Sequence, residues 1–216
     1  MSTSHEAHRK YWDEFYQGER SANVPRDPSS FAEWVAERLT QDQVVVEFGF
    51  GTARDSLWFM GRGHAVRGYD FAASAVAAAS KHAAELPGEA WFDALDLADD
   101  DAVAAAIADI NSHESRPAVY GRFLIHSLED EARHNLFEVA RGVSGELYVE
   151  FRTGKDAGQV HLFGDDHYRT YLDPELVVEE VEARGGKVTE FEQGTGYAVY
   201  KSEDPHVARI VASWAG

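Results

Sequence analysis

Short apolar runs alternate with longer segments of helical spacing along most of the chain. Runs bounded by turn residues predict β-strands, and alanine-rich segments with apolar residues three or four positions apart predict helices. This alternation is typical of a parallel sheet whose crossover helices pack on its faces. The pattern predicts seven strands, at 43–48, 65–69, 90–95, 118–125, 146–151, 187–192 and 197–201.

Helices are predicted between most of these strands, at 53–62, 72–84, 99–111, 129–141 and 174–184. Gly63 and Gly185 follow two of them, where a glycine can end a helix. Only residues 193–196 separate the last two strands, which is too short for a crossover helix, so we expect these strands to pair antiparallel. The predicted fold class is α/β. It is a Rossmann-like, seven-stranded mixed sheet, mostly parallel, with one antiparallel edge hairpin strand and helices on both faces.

Two further helices are predicted before the first strand, at 6–17 and 29–39, and a loop joins them. We predict that residues 1–42 form a helical lid or cap and that 43–216 form the main domain, in a chain that is a single domain overall. The first helix carries Tyr11, Trp12 and Tyr16 close together. These rings either pack the helix onto the domain or cover a ligand, and in the second case they are candidate substrate contacts.

Composition and charge exclude several classes of function. The 216 residues include 38 acidic and 20 basic side chains, for a net charge of −18, and no cysteine. A surface with this much negative charge repels nucleic-acid backbones and anionic lipid. We therefore expect neither a nucleic-acid partner nor a membrane partner. Without cysteine there are no disulfides, thiolate zinc sites or cysteine nucleophiles. The N-terminus is polar and no apolar run approaches the roughly 20 residues of a membrane span, so we expect a cytoplasmic protein.

One segment joins an apolar strand directly to a glycine turn and a helix. It reads VVVEFGFGTARDS, residues 44–56, and places Gly49 and Gly51 just after the first predicted strand. Glycines there let the backbone turn sharply and let a ligand approach the main chain at a helix N-terminus. A dinucleotide fingerprint needs a third glycine where this chain has Arg54. The segment therefore predicts a cofactor site, but a poor dinucleotide site.

Glu47 lies two residues before the first glycine and adds a carboxylate beside the predicted ligand. A pyrophosphate would be repelled by this charge, whereas a ligand carrying an ammonium and a sulfonium would be attracted. The charge favours S-adenosylmethionine over NAD.

Two later strand ends carry acids suited to an adenosyl group. Asp70 ends the second strand 19 residues after Gly51, near the spacing at which an acid reaches a ribose diol. Phe71 could cover one face of an adenine. Asp96 follows the third strand and could accept a hydrogen bond from the exocyclic amine, with Leu97 beside it. A turn aspartate with no ligand is the alternative at both positions.

The features of residues 44–151 together resemble the class I S-adenosylmethionine-dependent methyltransferases. EFGFGTARDS is similar to the ExGxGxGRDS motif of some bacterial members. The resemblance implies that the glycine loop holds the methionine part, the second-strand acid binds ribose, and the third-strand turn binds adenine. It implies S-adenosylmethionine as cofactor and methyl transfer to an oxygen or nitrogen of a small-molecule acceptor. The cofactor contacts so implied or suggested are Glu47, Gly49, Phe50, Gly51, Arg54, Asp55, Asp70, Phe71, Asp96 and Leu97.

The exit of the fourth strand, VYGRFLIHSLEDEAR, resembles the segment that closes the cofactor pocket in this family. The resemblance places Arg122 and Phe123 near the methionine end and His126 at the mouth. His126 and His167 follow strand ends, where ligands bind in open α/β folds, and are candidate proton acceptors. A structural role is the alternative for both. Candidate substrate contacts that would suit an acidic acceptor are Arg152, Tyr168 and Arg169, together with His167.

Two other functions remain open from the sequence. A nicotinamide-dependent oxidoreductase shares the strand, the glycine turn and the ribose acid, although Arg54 and Glu47 speak against it. A non-catalytic protein of the same fold that binds a partner is the second. No metal site is predicted, because the two closely spaced pairs, His5 with His8 and His113 with Glu114, fit chance spacing. The sequence leaves the oligomeric state open.

Overall fold

The computed structural model describes residues 10–16, 25–113, 115–157 and 170–214. Within these ranges, seven strands form one sheet in the order β3-β2-β1-β4-β5-β7-β6. The strands from β1 to β5 pair in parallel, and β7 is antiparallel to both of its neighbours, β5 and β6. The predicted fold class is confirmed: the sheet is mixed and mostly parallel, with the one antiparallel strand, β7, near one edge. The strands are β1 Gln43–Phe48, β2 Val66–Asp70, β3 Ala90–Ala94, β4 Arg116–Arg122, β5 Glu146–Arg152, β6 Lys187–Gly194 and β7 Val207–Ser213.

The helices follow the predicted periodicity closely. The first, α1, spans residues 10–16 of the predicted 6–17 helix, whose other positions lie outside the described residues. Polar side chains fix three helix starts, since Ser29, Asp99 and Asp173 each accept a hydrogen bond from a main-chain N–H of the first turn. The remaining helices are α2 Ser30–Ala36, α3 Arg54–Gly61, α4 Ala73–Ala83, α5 Asp100–Asn111, α6 Asp130–Gly142 and α7 Pro174–Glu182.

The position of the last strand was predicted wrongly. Residues 197–201 lie outside the sheet, where Tyr200 forms an isolated bridge with Glu203, and the last strand is β7. β7 is buried along nearly its whole length, because it lies between β5 and β6. The charged Arg209 interrupts the apolar run of β7, so the apolar pattern did not predict this strand. The aromatic and β-branched residues of 197–201, in contrast, are typical of a strand. The antiparallel pairing of the last two strands is confirmed.

Both faces of the sheet are covered, as a mainly parallel sheet requires. Alternate residues point to opposite faces. Val45 and Tyr120 pack in one cluster with Phe31 of α2, while Val46 and Val119 pack in another with residues of α5, α6 and α7. Helix α2 thus contributes to the core of the domain, and the boundary at residue 42 stays a prediction.

None of the helices in the described ranges is both long and apolar enough to cross a bilayer.

Candidate cofactor and acceptor site

The sheet order creates a crevice between β1 and β4. From β1 the chain proceeds outward to β2 and β3, then crosses back to place β4 on the other side of β1. In open α/β sheets, ligands bind at the carboxyl ends of the strands at such a reversal. The glycine turn follows β1 and Arg122 ends β4, so the topology brings these predicted site residues to one crevice.

The glycine turn has the backbone geometry that its sequence predicts. Gly49, Gly51 and Ala53 have φ angles of 64°, 55° and 57°, in the left-handed region that favours glycine. A Cβ atom on Gly49 would lie 2.6 Å from Leu124 Cδ1, and one on Gly51 would lie 2.5 Å from Tyr16 Oη. Both glycines are therefore required by conformation and by close contacts.

Glu47 is buried at the end of β1. Its Oε2 accepts a hydrogen bond of 2.5 Å from Ser56 Oγ, in the first turns of α3. Burial, and then the charge of Asp55, raise the pKa of Glu47 well above its usual range. A cationic ligand group beside this carboxylate would favour its ionised form.

Asp55 has a different setting, in which its carboxylate ties α3 to the start of α2. Its Oδ1 accepts from the main-chain N–H of Ser29 at 2.8 Å, and its Oδ2 accepts from Ser29 Oγ and Tyr120 Oη at 2.7 and 2.8 Å. These bonds engage both carboxylate oxygens. The adjacent Arg54 lies in the crevice, where burial, and then the charge of Arg122, lower its pKa.

Asp70 is buried at the end of β2, as its position in the sequence suggested. Its two oxygens accept main-chain hydrogen bonds of 2.9 Å from Gly51 and Ala72. Burial raises the pKa of Asp70 to about 6, although these main-chain bonds act in the opposite direction. The carboxylate is thus fixed against the glycine turn, on the side toward β2.

Two adjoining cavities open along this crevice. The first, of about 120 Å³, is mainly apolar and reaches from Gly49 toward the ends of β2 and β3. The second, of about 410 Å³, lies over the glycine turn and the exits of β4 and β5. Predicted site residues lining the first are Trp12, Tyr16, Gly49, Asp70, Phe71, Asp96, Leu97 and Phe123. Those lining the second are Trp12, Tyr16, Glu47, Gly49, Phe50, Gly51, Arg54, Asp55, Arg122, Phe123, His126 and Arg152.

Helix α1 lies across the boundary between the cavities. Trp12 and Tyr16 line both cavities and stack on each other with ring centroids 6.0 Å apart. Tyr11 packs edge-on against Trp12 at 5.2 Å, and Asp13 Oδ1 accepts a 2.8 Å hydrogen bond from Ser74 Oγ, which attaches α1 to α4. The helix therefore both packs on the domain and covers the crevice.

The phenol of Tyr16 lies against the glycine turn. Burial, and then the charges of Asp70 and Glu47, raise the pKa of Tyr16 well above its usual range. Its hydroxyl contacts Gly51, so a ligand that binds along the turn must share or take this space.

The exit of β4 is held by β5. Phe123 has a φ of 53°, which ends the strand three residues earlier than predicted, and its N–H donates to the main-chain oxygen of Glu150 at 2.8 Å. The Arg122 guanidinium lies 4.2 Å from the ring centroid of Phe123, and that of Arg152 lies 5.3 Å from it. The ring of Phe123 thus lines both cavities and contacts two guanidinium groups.

Glu150, which the sequence pattern did not single out, is fully buried behind this exit. Its Oε1 accepts from Arg122 Nε at 3.0 Å and its Oε2 accepts from Arg209 Nε at 2.8 Å. The available signal was an acidic residue inside an otherwise apolar strand, because a buried charge must have partners.

His126 is also buried, in a short 3₁₀ turn over Ile125–Ser127. Its Nδ1 accepts from the main-chain N–H of Arg152 at 3.2 Å, and its ring meets Phe123 edge-on with centroids 5.6 Å apart. Because Nδ1 is an acceptor, the neutral ring carries its proton on Nε2. This tautomer makes Nε2 a donor rather than a base.

Of the proposed acidic-acceptor contacts, only Arg152 lies within the described residues; His167, Tyr168 and Arg169 lie outside them. The Arg152 guanidinium donates to Asp156 Oδ2 at 2.7 Å and to Glu203 Oε2 at 3.1 Å. Two carboxylates balance its charge, which weakens the case for Arg152 as an anion site. In the described part of the chain, no three metal-ligating side chains come together.

Comparison with solved structures identifies the class of fold. The chain has the fold of S-adenosylmethionine-dependent methyltransferases, as the resemblance implied. One similar structure is such an enzyme from Anabaena variabilis ATCC 29413, with a TM-score of 0.71 and 16% identity over 100% of this chain and 96% of that one. Another is the glycopeptide N-methyltransferase MtfA in complex with S-adenosylmethionine, with a TM-score of 0.65 and 18% identity over 90% of each chain.

The fold also supports other reactions. The cyclase SpnF matches with a TM-score of 0.62 and 16% identity, over 85% of this chain and 79% of that one. No protein-family model matches the sequence. No curated protein matches it either. The reaction must therefore be argued from the site.

Proposed function

We propose that the protein is an S-adenosylmethionine-dependent methyltransferase that methylates an oxygen or nitrogen of a small molecule. One observation carries the proposal. The buried carboxylates of Glu47 and Asp70 flank the same glycine turn, at the carboxyl ends of β1 and β2. An adenosyl amino acid carries an ammonium at one end and a ribose diol in its middle, and these groups match the two acids.

The first cavity suits the nucleoside. Asp70 would accept hydrogen bonds from the ribose hydroxyls, and Asp96 and Leu97 lie where an adenine would follow. Phe71 lines the same cavity and would cover a face of the base. The apolar character of these walls favours a flat aromatic ring.

The second cavity suits the amino-acid end and the acceptor. Glu47 would bind the ammonium, and the guanidinium groups of Arg54 and Arg122 would attract the carboxylate. We propose that Asp55 acts by fixing α2 and α3 rather than by touching the cofactor, because Ser29 and Tyr120 already engage its oxygens.

When bound, S-adenosylmethionine would supply an electrophilic methyl group. The acceptor lone pair would bond to the methyl carbon, the C–S electron pair would stay on sulfur, and a hydroxyl or amine acceptor would release its proton to solvent. The chain's share of this reaction is to hold the acceptor about 3 Å from the methyl carbon and to exclude water. Trp12, Tyr16 and Phe123, which line both cavities, are placed to do this.

The test of the proposed function is transfer of a labelled methyl group from S-adenosylmethionine to a component of a metabolite extract. We expect one labelled small-molecule product, lost in Asp70→Ala. A folded protein that binds S-adenosylhomocysteine but labels nothing in extracts of varied origin would favour a non-catalytic role. Binding of NADH in place of S-adenosylhomocysteine would favour an oxidoreductase.

For His126 we expect His126→Ala to lower the rate of methyl transfer about tenfold, with affinity for S-adenosylhomocysteine changed by less than about threefold. The reason is that His126 lines the second cavity with a neutral ring whose Nδ1 accepts from the Arg152 main chain, so Nε2 carries the ring proton and does not act as a base. His126→Gln keeps a donor and should restore most of the rate. A loss of 100-fold or more in both variants would instead indicate a general base, and the exposed His82→Ala is the control.

The pKa of about 6 for Asp70 predicts a pH dependence of cofactor binding. Ribose hydroxyls donate to the ionised carboxylate, and below pH 6 the free protein holds Asp70 protonated. We therefore expect affinity for S-adenosylhomocysteine to fall by about tenfold between pH 7.5 and pH 5. Calorimetry across this range checks it, and the fall should persist in Glu47→Gln. Constant affinity would contradict the assignment of Asp70 to the ribose.

A further inference from the structure

Glu150 joins the two sides of the second cavity through one buried carboxylate. On one side it binds Arg122, which lines the cavity, at 3.0 Å. On the other it binds Arg209 at 2.8 Å, and Arg209 Nη2 donates to the main-chain oxygen of Tyr197 at 3.1 Å. The residues after Tyr197 line the same cavity. The side chain of Glu150 has no exposed area, so water does not screen these pairs.

The contact with Arg122 fixes how that guanidinium is presented. Only Nε bonds to Glu150, and across the described ranges the Arg122 side chain makes no other hydrogen bond. The two Nη groups are thereby left for the cavity. The main-chain oxygen of Glu150 also holds Phe123 N–H at 2.8 Å, which keeps the left-handed backbone of Phe123 in place.

We propose that Glu150 is a positioning residue for the amino-acid end of the cofactor, acting through Arg122. The proposal rests on the proposed function. Glu150 orients Arg122 so that its Nη groups bind the cofactor carboxylate. When position 150 carries glutamine, one neutral amide oxygen replaces the two charged oxygens that accept from Arg122 and Arg209. Arg122 Nε is then held less firmly, and the guanidinium turns away from the position in which it meets the ligand.

Two ligands that differ only at the amino-acid end test this role without knowledge of the acceptor. S-adenosylhomocysteine carries the amino acid, and 5′-methylthioadenosine lacks it. In Glu150→Gln, which keeps the side-chain volume, we expect affinity for S-adenosylhomocysteine to fall at least tenfold and affinity for 5′-methylthioadenosine to change less than threefold. Arg122→Gln should do the same, and the double variant should lose no more than either single variant. Glu150→Asp, which keeps the charge, should recover part of the loss.

Glu146→Gln is the matched control, since Glu146 lies at the opposite end of β5 and accepts from Gln43 Nε2 at 2.6 Å, away from the crevice. It should change neither affinity. A purely structural role for Glu150 would weaken both ligands by the same factor, and that result overturns the proposal, as does no change in either. If Glu150→Gln does not fold, the same comparison is made with Arg122→Gln and Glu150→Asp. In each, the loss of affinity for S-adenosylhomocysteine is divided by the loss for 5′-methylthioadenosine. Failure of the wild-type protein to bind S-adenosylhomocysteine would overturn the proposed function, and this proposal with it.

Discussion

Asp70→Asn is expected to weaken binding of S-adenosylhomocysteine roughly 100-fold. Two hydrogen bonds from ribose hydroxyls to a buried carboxylate contribute about 1.5 kcal/mol each, and tenfold in affinity corresponds to about 1.4 kcal/mol. The amide keeps the shape of the side chain, but Gly51 and Ala72 donate to different oxygens of Asp70. The single amide oxygen of asparagine can replace only one of those acceptors, and its NH2 group cannot accept from the ribose hydroxyls. Calorimetric titration at pH 7.5, where Asp70 is ionised, measures the loss.

Asp93→Asn is the control for this variant. Asp93 is exposed on β3, the strand next to β2. Its substitution by asparagine removes the same charge without altering the crevice. It should leave the affinity within about twofold of the wild type, a change worth under 1 kcal/mol. If Asp70→Asn binds as tightly as Asp93→Asn while both remain folded, Asp70 does not bind the ribose.

Gly51→Ala is expected to weaken the same ligand by about 30-fold or more. The left-handed φ of 55° costs an alanine about 1 kcal/mol. Its Cβ would also lie 2.5 Å from Tyr16 Oη, so the ring that covers the turn must move. Both effects distort the surface that the ligand contacts. Titration with S-adenosylhomocysteine, with thermal unfolding as the measure of stability, checks this result.

Gly61→Ala is the matched control on the following helix. No atom lies within 4 Å of a Cβ added there, and Gly61 is the last residue of α3. We expect this variant to be more stable by about 0.5 kcal/mol, because alanine loses less conformational freedom than glycine in a helix. Its affinity should not change. Equal affinities of Gly51→Ala and Gly61→Ala would mean that the ligand does not lie against the turn.

The sequence predicted the sheet and the crevice for the same reason. Apolar periodicity locates strands and helices, and glycine and acidic residues at strand ends meet where parallel strands end together. Glu47, Gly51 and Asp70 could be placed from the chain alone because each lies within three residues of the end of a predicted strand. The last strand could not, because Arg209 broke the apolar pattern that otherwise marks a buried strand.

The supporting contacts of the site were less predictable. The bonds of Glu150 to Arg122 and Arg209 span 28 and 59 residues of sequence, and those of Asp55 to Ser29 and Tyr120 span 26 and 65. Such long-range pairs depend on the sheet order, which local spacing does not encode. The proposed base, His126, shows the limit most clearly, since only the structure reveals that its Nδ1 is engaged by the Arg152 main chain.

A comparative calorimetric titration of the wild-type protein with S-adenosylhomocysteine and NADH measures which of the two ligands the glycine turn accepts. An ammonium group would favour the ionised form of Glu47 beside the glycine turn and pair with it, whereas a pyrophosphate would gain no attraction from this side chain in either form. We predict single-site binding of S-adenosylhomocysteine at micromolar concentrations and no heat from NADH in the same range. Binding of NADH without S-adenosylhomocysteine would contradict the proposed function and the role of every residue assigned to it.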